Sequence, residues 1–467
     1  MKPDEKIEDA MTEQIKVNRY VLAQLSHEQR NQLLHQRAQD NLQDVEATVL
    51  RVLAAVRSDG DTALVQLTRQ YDGAELSENQ LRVSEEEFDR ADELVNKDLR
   101  TALIQSIHNV RNHHQSQLPP PSWMKEIIPG VITGERVTPI SSVGLYVPRG
   151  KGSFPSVMIM LCIPAVIAEV PEITVCTPPG ADGSVDPASL VAARLCGVEN
   201  IIKVGGAQAI AAMAYGTNSV PKVDKILGPG NQYVTAARRI LSGIVNPGPP
   251  AGPSESVILC DSAADVEIAA RELLVEAEHG TDSAVLLVTH SSALATAVAD
   301  RLPDLIGKLP ETQARNCKAV LSNYGGIVIT EGLQDSISFI NEYAPEHLRV
   351  LVDNPFEILP AIIHAGEVLL GENASIAFGN FSLGLNAILP TGRHAQTYSC
   401  MGVNELLKRS SFGYVSATGV RSIGPTAVEL ARYEGFPAHE AAAQYIIHRV
   451  TSFNAESSMA DDDSDGS

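Results

Sequence analysis

Aromatic residues are scarce in this chain: they make up 4% of the 467 residues, and tryptophan occurs once. The apolar 44% is instead rich in alanine, valine, isoleucine and leucine, which suits helices packed on sheets. The charged fraction of 20% is typical of globular proteins, so the composition excludes a largely disordered chain. The length predicts two or more domains with a large buried area.

Paired cysteine motifs are also absent. The six cysteines are scattered and none forms a Cys-x-x-Cys pair, which excludes a zinc ribbon and gives no sign of a disulfide framework. We therefore expect small buried thiols in a reducing compartment. The cysteines are Cys162, Cys176, Cys196, Cys260, Cys317 and Cys400.

Long hydrophobic runs are missing as well. The longest run, residues 157–168, is too short to cross a bilayer and contains Pro164. Residues 1–13 mix acidic residues with lysines and have no apolar core, which argues against a secretory signal or a transit peptide. The sequence predicts a cytoplasmic protein with no membrane partner.

Positive charge is in deficit, because 57 acidic residues against 36 basic ones give a formal charge of −21. Nucleic acid is therefore not an expected partner, since binding a phosphate backbone relies on lysine and arginine. Part of the acidic excess lies in residues 457–467, which hold almost no apolar side chains. We predict a solvated tail there; an acidic partner-binding tail is the alternative, and no feature of the sequence supports it.

Two kinds of pattern divide the chain. Residues up to Arg111 show mostly helical spacing, and from Val131 onward short β-branched runs alternate with helical stretches, the pattern of parallel βαβ units. Two series of strands predict an α/β fold of two Rossmann-like, doubly wound domains with helical N- and C-terminal extensions. Between the series, the Pro- and Gly-rich segment 246–254 predicts an interdomain crossing; a long surface loop is the alternative. The predicted strands are 173–176, 201–204, 225–227, 257–260, 284–288, 327–329 and 348–352.

No Gly-x-Gly-x-x-Gly fingerprint follows a predicted strand, so a standard dinucleotide-binding turn is not expected. Two other glycine-bearing turns, 204–208 and 227–231, each follow a strand and open a helix. Glycine lets the backbone approach a ligand, and the free N–H groups of a helix start can meet an anion. Each turn alone is explained as well by an ordinary strand-to-helix connection, but two in one sheet mark the place to expect a ligand.

A helix is predicted over residues 264–279, with an acidic start and Gly280 as its stop. Its last turn contains Glu276 and His279, which are three residues apart and therefore on one face, where a carboxylate and an imidazole can share a metal ion. An exposed acid and a histidine that favours the negative end of the helix are the alternative.

Adjacent Glu346 and His347 precede the last predicted strand. Histidine titrates near neutral pH and glutamate can deprotonate a water molecule, so the pair suits proton transfer; a surface pair is the alternative. The loop 379–391 and the pair Glu434 and His439 offer further polar groups, although each segment alone is also compatible with a simple turn.

Taken together and in order, these segments resemble the histidinol dehydrogenase family over residues 45–450. Residues 251–255 followed by 276–279 are similar to the family's signature stretch. The other matching segments are 144–148, 204–208, 228–231, 344–348, 386–391 and 434–439.

The resemblance implies a homodimer of interlocked subunits, each with two Rossmann-like domains and one Zn²⁺. It also implies that one site oxidises an alcohol through an aldehyde to a carboxylate and reduces two NAD in turn. By position, Glu346 would activate the water that attacks the aldehyde, and His347 would accept the alcohol proton. The resemblance further places Tyr146, Gln208 and Asn231 at NAD, Ser254 and Glu434 at the substrate, and Glu276, His279, Asn380 and His439 at the metal.

The resemblance and the sequence patterns together give the predicted domain boundaries. They are an N-terminal helical extension over 1–44, a discontinuous domain over 45–140 and 255–385 with the metal and catalytic residues, an NAD-binding domain over 141–254, a C-terminal helical dimerisation arm over 386–456, and a disordered acidic tail over 457–467.

The metal positions depart from the family, whose set is Gln, His, Asp and His. At Glu276 and Asn380 an amide and a carboxylate have exchanged places, so the set keeps one carboxylate, one amide oxygen and two imidazoles. We therefore expect a metal to be retained. Nitrogen and oxygen donors without sulfur suit zinc, with cobalt or manganese as alternatives.

Two further departures concern the substrate. Ala387 stands where the family has histidine, and Arg149 and Lys151 add positive charge to a turn that is usually Pro-Gly-Gly. The two cations could serve an anionic substrate or the NAD phosphates, or could lie in solvent.

The sequence therefore predicts a zinc-dependent, NAD-linked oxidation of a small polar alcohol, either L-histidinol or a related amino alcohol. The same chemistry on another small polyol, for example a sulfonated propanediol, is the close alternative. A catalytically silent dimeric relative would be expected to lose Glu346 and His347. A simple nucleotide-binding module would not need both His279 and His439.

Overall fold

The computed structural model describes residues 15–35, 37, 42–149 and 152–462, with the backbone alone for 42–44 and 453–462. Lys151, residues 1–14 of the predicted N-terminal extension and residues 463–467 of the predicted tail lie outside the described residues. In chain order the strands are β1 Arg19–Val21, β2 Ser122–Ile128, β3 Val131–Pro139, β4 Ser142–Tyr146, β5 Glu172–Cys176, β6 Ile201–Ile202, β7 Lys225–Leu227, β8 Glu255–Cys260, β9 Ala284–Thr289, β10 Gly326–Ile329, β11 His347–Leu351, β12 Glu367–Leu370 and β13 Leu407–Val415.

The described residues also form α-helices between these strands and after them. They are α1 His27–His35, α2 Leu42–Asp59, α3 Asp61–Asp72, α4 Glu85–Leu94, α5 Lys97–Gln115, α6 Pro155–Ile167, α7 Pro187–Cys196, α8 Gly206–Tyr215, α9 Gln232–Ile240, α10 Val266–Val275, α11 Ser292–Ile306, α12 Glu311–Ser322, α13 Leu333–Tyr343, α14 Pro355–Ile358, α15 Ile376–Phe381, α16 Ala417–Tyr433 and α17 Pro437–Asp462.

The chain divides into two units, of which the first holds residues 1–117 and 140–406 and the second holds 118–139 and 407–467. The first unit contains two parallel sheets. One has six strands in the order β1, β10, β9, β8, β11, β12, and the other has four in the order β6, β5, β4, β7. The predicted α/β class with two series of parallel strands is confirmed, and segment 246–254 connects the two series.

Helix α2 does not pack on the sheet to which the predicted domain boundaries assign it. Residues 45–140 were assigned with the six-stranded sheet, but the apolar stripe of α2 packs on α8 and α9, which flank the four-stranded sheet. Val49 and Leu53 of α2 share one buried cluster with Ile202 and Ile210. Helical spacing shows that a face is buried but not which partner buries it, which is why the boundary was wrong.

The N-terminal extension was predicted to be helical, but it also contains a strand. Arg19 to Val21 form β1, which pairs in parallel with β10 at the edge of the six-stranded sheet. A strand of three residues is too short to show an alternating pattern, so the sequence gives it no distinctive signal.

The second unit contains an antiparallel sheet that was not predicted. Strands β2 and β3 form a hairpin whose turn holds Gly130 at φ +81°, and β3 pairs with β13. Consequently residues 122–139 are not part of a parallel domain, and the predicted arm over 386–456 begins as residues 386–406 of the first unit. The Pro129-Gly130 pair between two apolar runs was the available turn signal.

The C-terminal helix is longer than predicted. Helix α17 continues to Asp462, into the range predicted as a solvated tail from residue 457. Met459 and Ala460 in this stretch have favourable helix propensities. Along the described part of the chain, no helix is long and apolar enough to cross a membrane.

The position of α2 predicts a contrast between two leucines of that helix. Leu53 is 3% exposed and Leu50 is 48% exposed. We expect Leu53→Ala to lower the free energy of unfolding by about 2–4 kcal/mol, because a buried cavity forms. The matched control Leu50→Ala should change it by about 0.5 kcal/mol or less. Urea unfolding followed by circular dichroism measures both, and equal effects would contradict the packing of α2.

Candidate active site

Glu276 and His279 meet in a turn that follows α10. Helix α10 begins at the N-cap Asp265 and ends at Val275, four residues before the predicted end, so the pair does not lie in the last helical turn. The side chain of Glu276 is buried at this turn. Its Oε2 lies 2.8 Å from Nδ1 of His279, and the side chain of Glu276 is 1% exposed. The predicted neighbourhood of the two residues is therefore found, in a different local structure.

Asn380 joins this pair from the short helix α15. Its Nδ2 donates to Oε1 of Glu276 at 2.9 Å. The first turn of α15 is held because the backbone N–H of Ile376 donates to Oε2 of Glu272 at 3.0 Å. Glu272 is in turn 3.7 Å from Nε of the fully buried Arg349. A buried ion pair thus fixes the helix that presents Asn380.

His347 is the first residue of β11 and lies at the centre of the cluster. Its Nδ1 is 2.6 Å from Oε1 of Glu367. Its Nε2 faces the other way, 3.8 Å from Oε1 of Glu346 and 4.0 Å from Oε1 of Glu276. The imidazole, with a side chain 3% exposed, is therefore surrounded by carboxylates on both edges.

Glu346 is oriented by a neighbouring strand. The backbone N–H of Glu255, the first residue of β8, donates to Oε2 of Glu346 at 2.8 Å. The carboxylate of Glu255 is itself occupied by Nη1 of Arg37 at 2.5 Å and by the N–H of Gly392 at 2.8 Å. Because Oε2 of Glu346 accepts the N–H of Glu255, its other oxygen, Oε1, is the one that faces His347.

These charges change the pKa of each group. Burial opposes the charge on His347, but Glu346, Glu276 and Glu367 outweigh it and raise the pKa of His347 to about 10. Burial also raises the pKa of Glu346 well above its usual value, and nearby Glu276 adds to the rise. For Glu276 the attraction of His347 and His279 outweighs burial and lowers its pKa to about 2.

The donor set fits a divalent cation. Glu276, His279 and Asn380 supply a carboxylate, an imidazole and an amide whose atoms meet within hydrogen-bonding distance, and the cluster carries more buried carboxylates than cations. Within the described ranges, no three His, Cys, Asp or Glu side chains are placed to hold a metal by themselves. The set therefore depends on the amide of Asn380.

Ser254 reaches the same cluster, with its Oγ 3.0 Å from Nδ1 of His279. Ser254 directly precedes β8, while Glu346 and Glu367 stand at the starts of β11 and β12. The candidate active site therefore lies at the amino ends of these strands, whereas ligands of open parallel sheets usually bind at the carboxyl ends.

The predicted cofactor residues lie at the carboxyl ends of the four-stranded sheet. The Tyr146 hydroxyl accepts the N–H of Gly206 at 3.0 Å, and Gln208 is buried beside it with an Nε2 that has no partner among the described residues. Gly228, at φ +125°, lies against the backbone of Tyr146, where a Cβ would overlap its carbonyl oxygen. This tight cradle and the unpaired amide fit a polar ligand such as a dinucleotide. Asn231 caps α9 through its Oδ1.

The remaining predicted residues that the structure describes lie on other elements. Arg149 donates to the carbonyl of Ser184 at 3.3 Å, and Ala387 donates its N–H toward the sulfur of Met160. Glu434 and His439 are exposed residues of the second unit, at the junction of α16 and α17.

Sequence reasoning missed Glu367, Glu255 and Arg37. Glu367 directly precedes the apolar run 368–370, and a charged residue at the start of a strand was the signal that could have found it. Arg37 lies far from Glu255 in sequence, so no spacing rule links them.

Two parallel sheets, a buried carboxylate and histidine cluster and a glycine-rich cradle define an α/β protein with two candidate ligand-binding sites. The sequence profile of histidinol dehydrogenases matches residues 35–446. The chain is 47% identical over 418 residues to a histidinol dehydrogenase of Synechocystis sp., covering 90% of this chain and 96% of that one. It is 45% identical over 437 residues to a histidinol dehydrogenase homolog of Colwellia psychrerythraea, covering 93% and 97%.

The fold agrees with this similarity. The crystal structure of histidinol dehydrogenase from Elizabethkingia anophelis superposes with a TM-score of 0.89 at 33% identity, over 93% of this chain and 99% of that one. The chain belongs to the histidinol dehydrogenase family. The predicted resemblance is confirmed.

Asp72, the last residue of α3, predicts a pH-dependent stability. Burial raises its pKa to about 6, although Arg149 opposes the rise, and its Oδ2 has no partner among the described residues. Because the folded pKa exceeds the unfolded one, the charged form is penalised, and the penalty grows as pH rises from about 4 to about 6.

We expect Asp72→Asn to be more stable than the parent by about 1–2 kcal/mol above pH 6, a value reduced for the solvent contact of Asp72, and nearly equal near pH 4. Thermal unfolding at pH 4, 6 and 8 measures the difference. A gain that is the same at all three pH values would contradict the assignment.

Proposed function

We propose that the protein catalyses a zinc-dependent, NAD-linked oxidation of a primary alcohol through an aldehyde to a carboxylate, with L-histidinol or a related amino alcohol as substrate. The observation that carries the proposal is the meeting of Glu276, His279 and Asn380 beside His347 and Glu346. The histidinol dehydrogenases to which the chain is similar support the choice of alcohol.

In this proposal His347 accepts the alcohol proton at Nε2, and Glu346 removes a proton from the water that attacks the aldehyde. The N–H of Glu255 holds Glu346 in place, so its free Oε1 faces the same space as Nε2 of His347. Ser254, beside His279, and Glu434 would hold polar groups of the substrate.

Two groups complete the chemistry. Glu276, His279, Asn380 and His439 would hold one Zn²⁺, and Tyr146, Gln208 and Asn231 would contact NAD. When bound, zinc supplies a Lewis acid that polarises the alcohol and carbonyl oxygens, and NAD supplies the hydride acceptor.

Ala387 favours a second candidate substrate. An imidazole side chain is absent from the segment 386–391, so the same chemistry on another small polyol, such as a sulfonated propanediol, would fit a site with one fewer polar group. The observed contact of Arg149 with the Ser184 carbonyl gives no separate support to an anionic substrate.

We also propose a cytoplasmic homodimer. The second unit exposes large apolar side chains that a monomer would leave in water, and such patches mark interaction surfaces. They include Trp123, Met124, Tyr414, Tyr433 and Tyr445. The free cysteines, none of them in a disulfide among the described residues, suit a reducing compartment.

The function is tested by NADH production. Purified, zinc-loaded protein should reduce NAD with L-histidinol or with another member of a panel of amino alcohols and diols. His347→Asn should lower turnover by about 10²- to 10⁴-fold because the proton acceptor is lost, while NAD binding and zinc content persist. No turnover on any alcohol, together with no bound metal, would refute the proposal, and zinc loss in His347→Asn would show that the histidine is a ligand.

The exchanged metal positions give a separate prediction. Glu276→Gln leaves a set with no carboxylate, so we expect zinc affinity to fall by more than about 100-fold, the upper value for losing an outer-shell partner. Combining Glu276→Gln with Asn380→Asp restores one carboxylate and one amide, and should recover affinity to within about tenfold.

Zinc titration against a competing chelator measures these affinities. The control is Glu278→Gln, because Glu278 is exposed and lies two residues along the same turn. A double variant as weak as Glu276→Gln alone would contradict the reciprocal exchange.

A further inference from the structure

We propose that Glu367 is a positioning residue for His347, holding Nδ1–H of the imidazole so that Nε2 is presented, with its lone pair, to the space beside Glu346 and Glu276. The inference deepens the proposed function and rests on it for the role of His347.

The two residues are placed by the sheet itself. Strands β11 and β12 run in parallel with His347 opposite Glu367, and the N–H of Glu367 donates to the carbonyl of Glu346 at 3.0 Å. Residues opposite each other in a sheet project to the same face. Nδ1 and Oε1 consequently meet at 2.6 Å, with side-chain exposures of 3% and 5%.

The carboxylate has no comparable bond elsewhere. Its Oε2 is buried and has no hydrogen-bond partner among the described residues. Gly379 makes room for it, since a Cβ there would come within 3.1 Å of Oε1. A buried carboxylate oxygen without a partner reduces stability, so packing alone does not account for Glu367.

The bond selects one form of the imidazole. An ionised carboxylate can only accept, so the proton of the 2.6 Å contact resides on Nδ1. In the neutral ring, Nε2 then carries the lone pair, which is the atom that must take the alcohol proton. The opposite tautomer would present a hydrogen at Nε2 and could not act as acceptor.

Glu367→Gln removes the charge while keeping the shape, and its amide can rotate to donate to Nδ1 and favour the opposite tautomer. We expect kcat for the alcohol to fall by about 10- to 100-fold, the usual effect of losing such a partner. KM for the alcohol and for NAD should stay within about twofold, because neither binding site changes. Oxidation of the aldehyde should fall less, since Glu346 activates the water in that step.

Two further variants separate positioning from structure. Glu367→Asp restores the charge and should recover part of the lost kcat. Glu372→Gln makes the same substitution at an exposed site just beyond β12 and should retain the kcat of the parent. Zinc content and thermal unfolding are recorded for every variant.

A parent-like kcat in Glu367→Gln would overturn the proposal. So would equal loss of both half-reactions with reduced zinc or stability, since that result identifies a structural residue. If the parent enzyme turns over no alcohol, the proposed function fails, and nitrogen NMR of the imidazoles decides the positioning role separately. The His347 signals, identified by their absence in His347→Asn, should show a protonated Nδ1 that changes in Glu367→Gln. An unprotonated Nδ1, or no change, would refute it.

Discussion

Glu276, Glu346 and Glu367 surround one imidazole, His347, in the interior of the first unit. Burying a carboxylate is costly unless it is paired or hydrogen-bonded, and here the carboxylates outnumber the cations around them. Protonation of His347, whose pKa the surrounding carboxylates raise to about 10, would compensate part of this charge. A divalent cation beside Glu276 would compensate the rest, and it would at the same time free Nε2 to accept a proton.

The six-stranded sheet brings these charged side chains together at one of its edges, the amino ends of its strands. Strands β8, β11 and β12 are neighbours, so their first residues meet at the amino end of the six-stranded sheet. Arg37 neutralises Glu255 behind Glu346, and Arg349 neutralises Glu272 beneath the helix of Asn380. Each support is a buried ion pair, whose loss would leave an uncompensated charge. The glycine-rich cradle around Tyr146 and Gly228 lies instead at the carboxyl ends of the strands of the four-stranded sheet.

Much of this arrangement was accessible from sequence. β-branched runs identified the parallel strands, and the three-residue spacing of Glu276 and His279 brought them together even though α10 ends earlier than predicted. The sequence could not show that α2 packs on the four-stranded sheet, because an apolar stripe does not name its partner. It also could not show Glu367 beside His347, because that contact depends on strand register between segments separated by a helix.

The proposed chemistry requires the carboxylate cluster at the amino ends of these strands to bind a catalytic divalent cation. Anomalous X-ray diffraction at the zinc edge, from crystals of the zinc-loaded protein, tests it most directly. We expect one strong peak per chain within bonding distance of Glu276, His279 and Asn380, with Nε2 of His347 close by but not a ligand. A peak elsewhere, or none at this cluster in fully loaded protein, would contradict it.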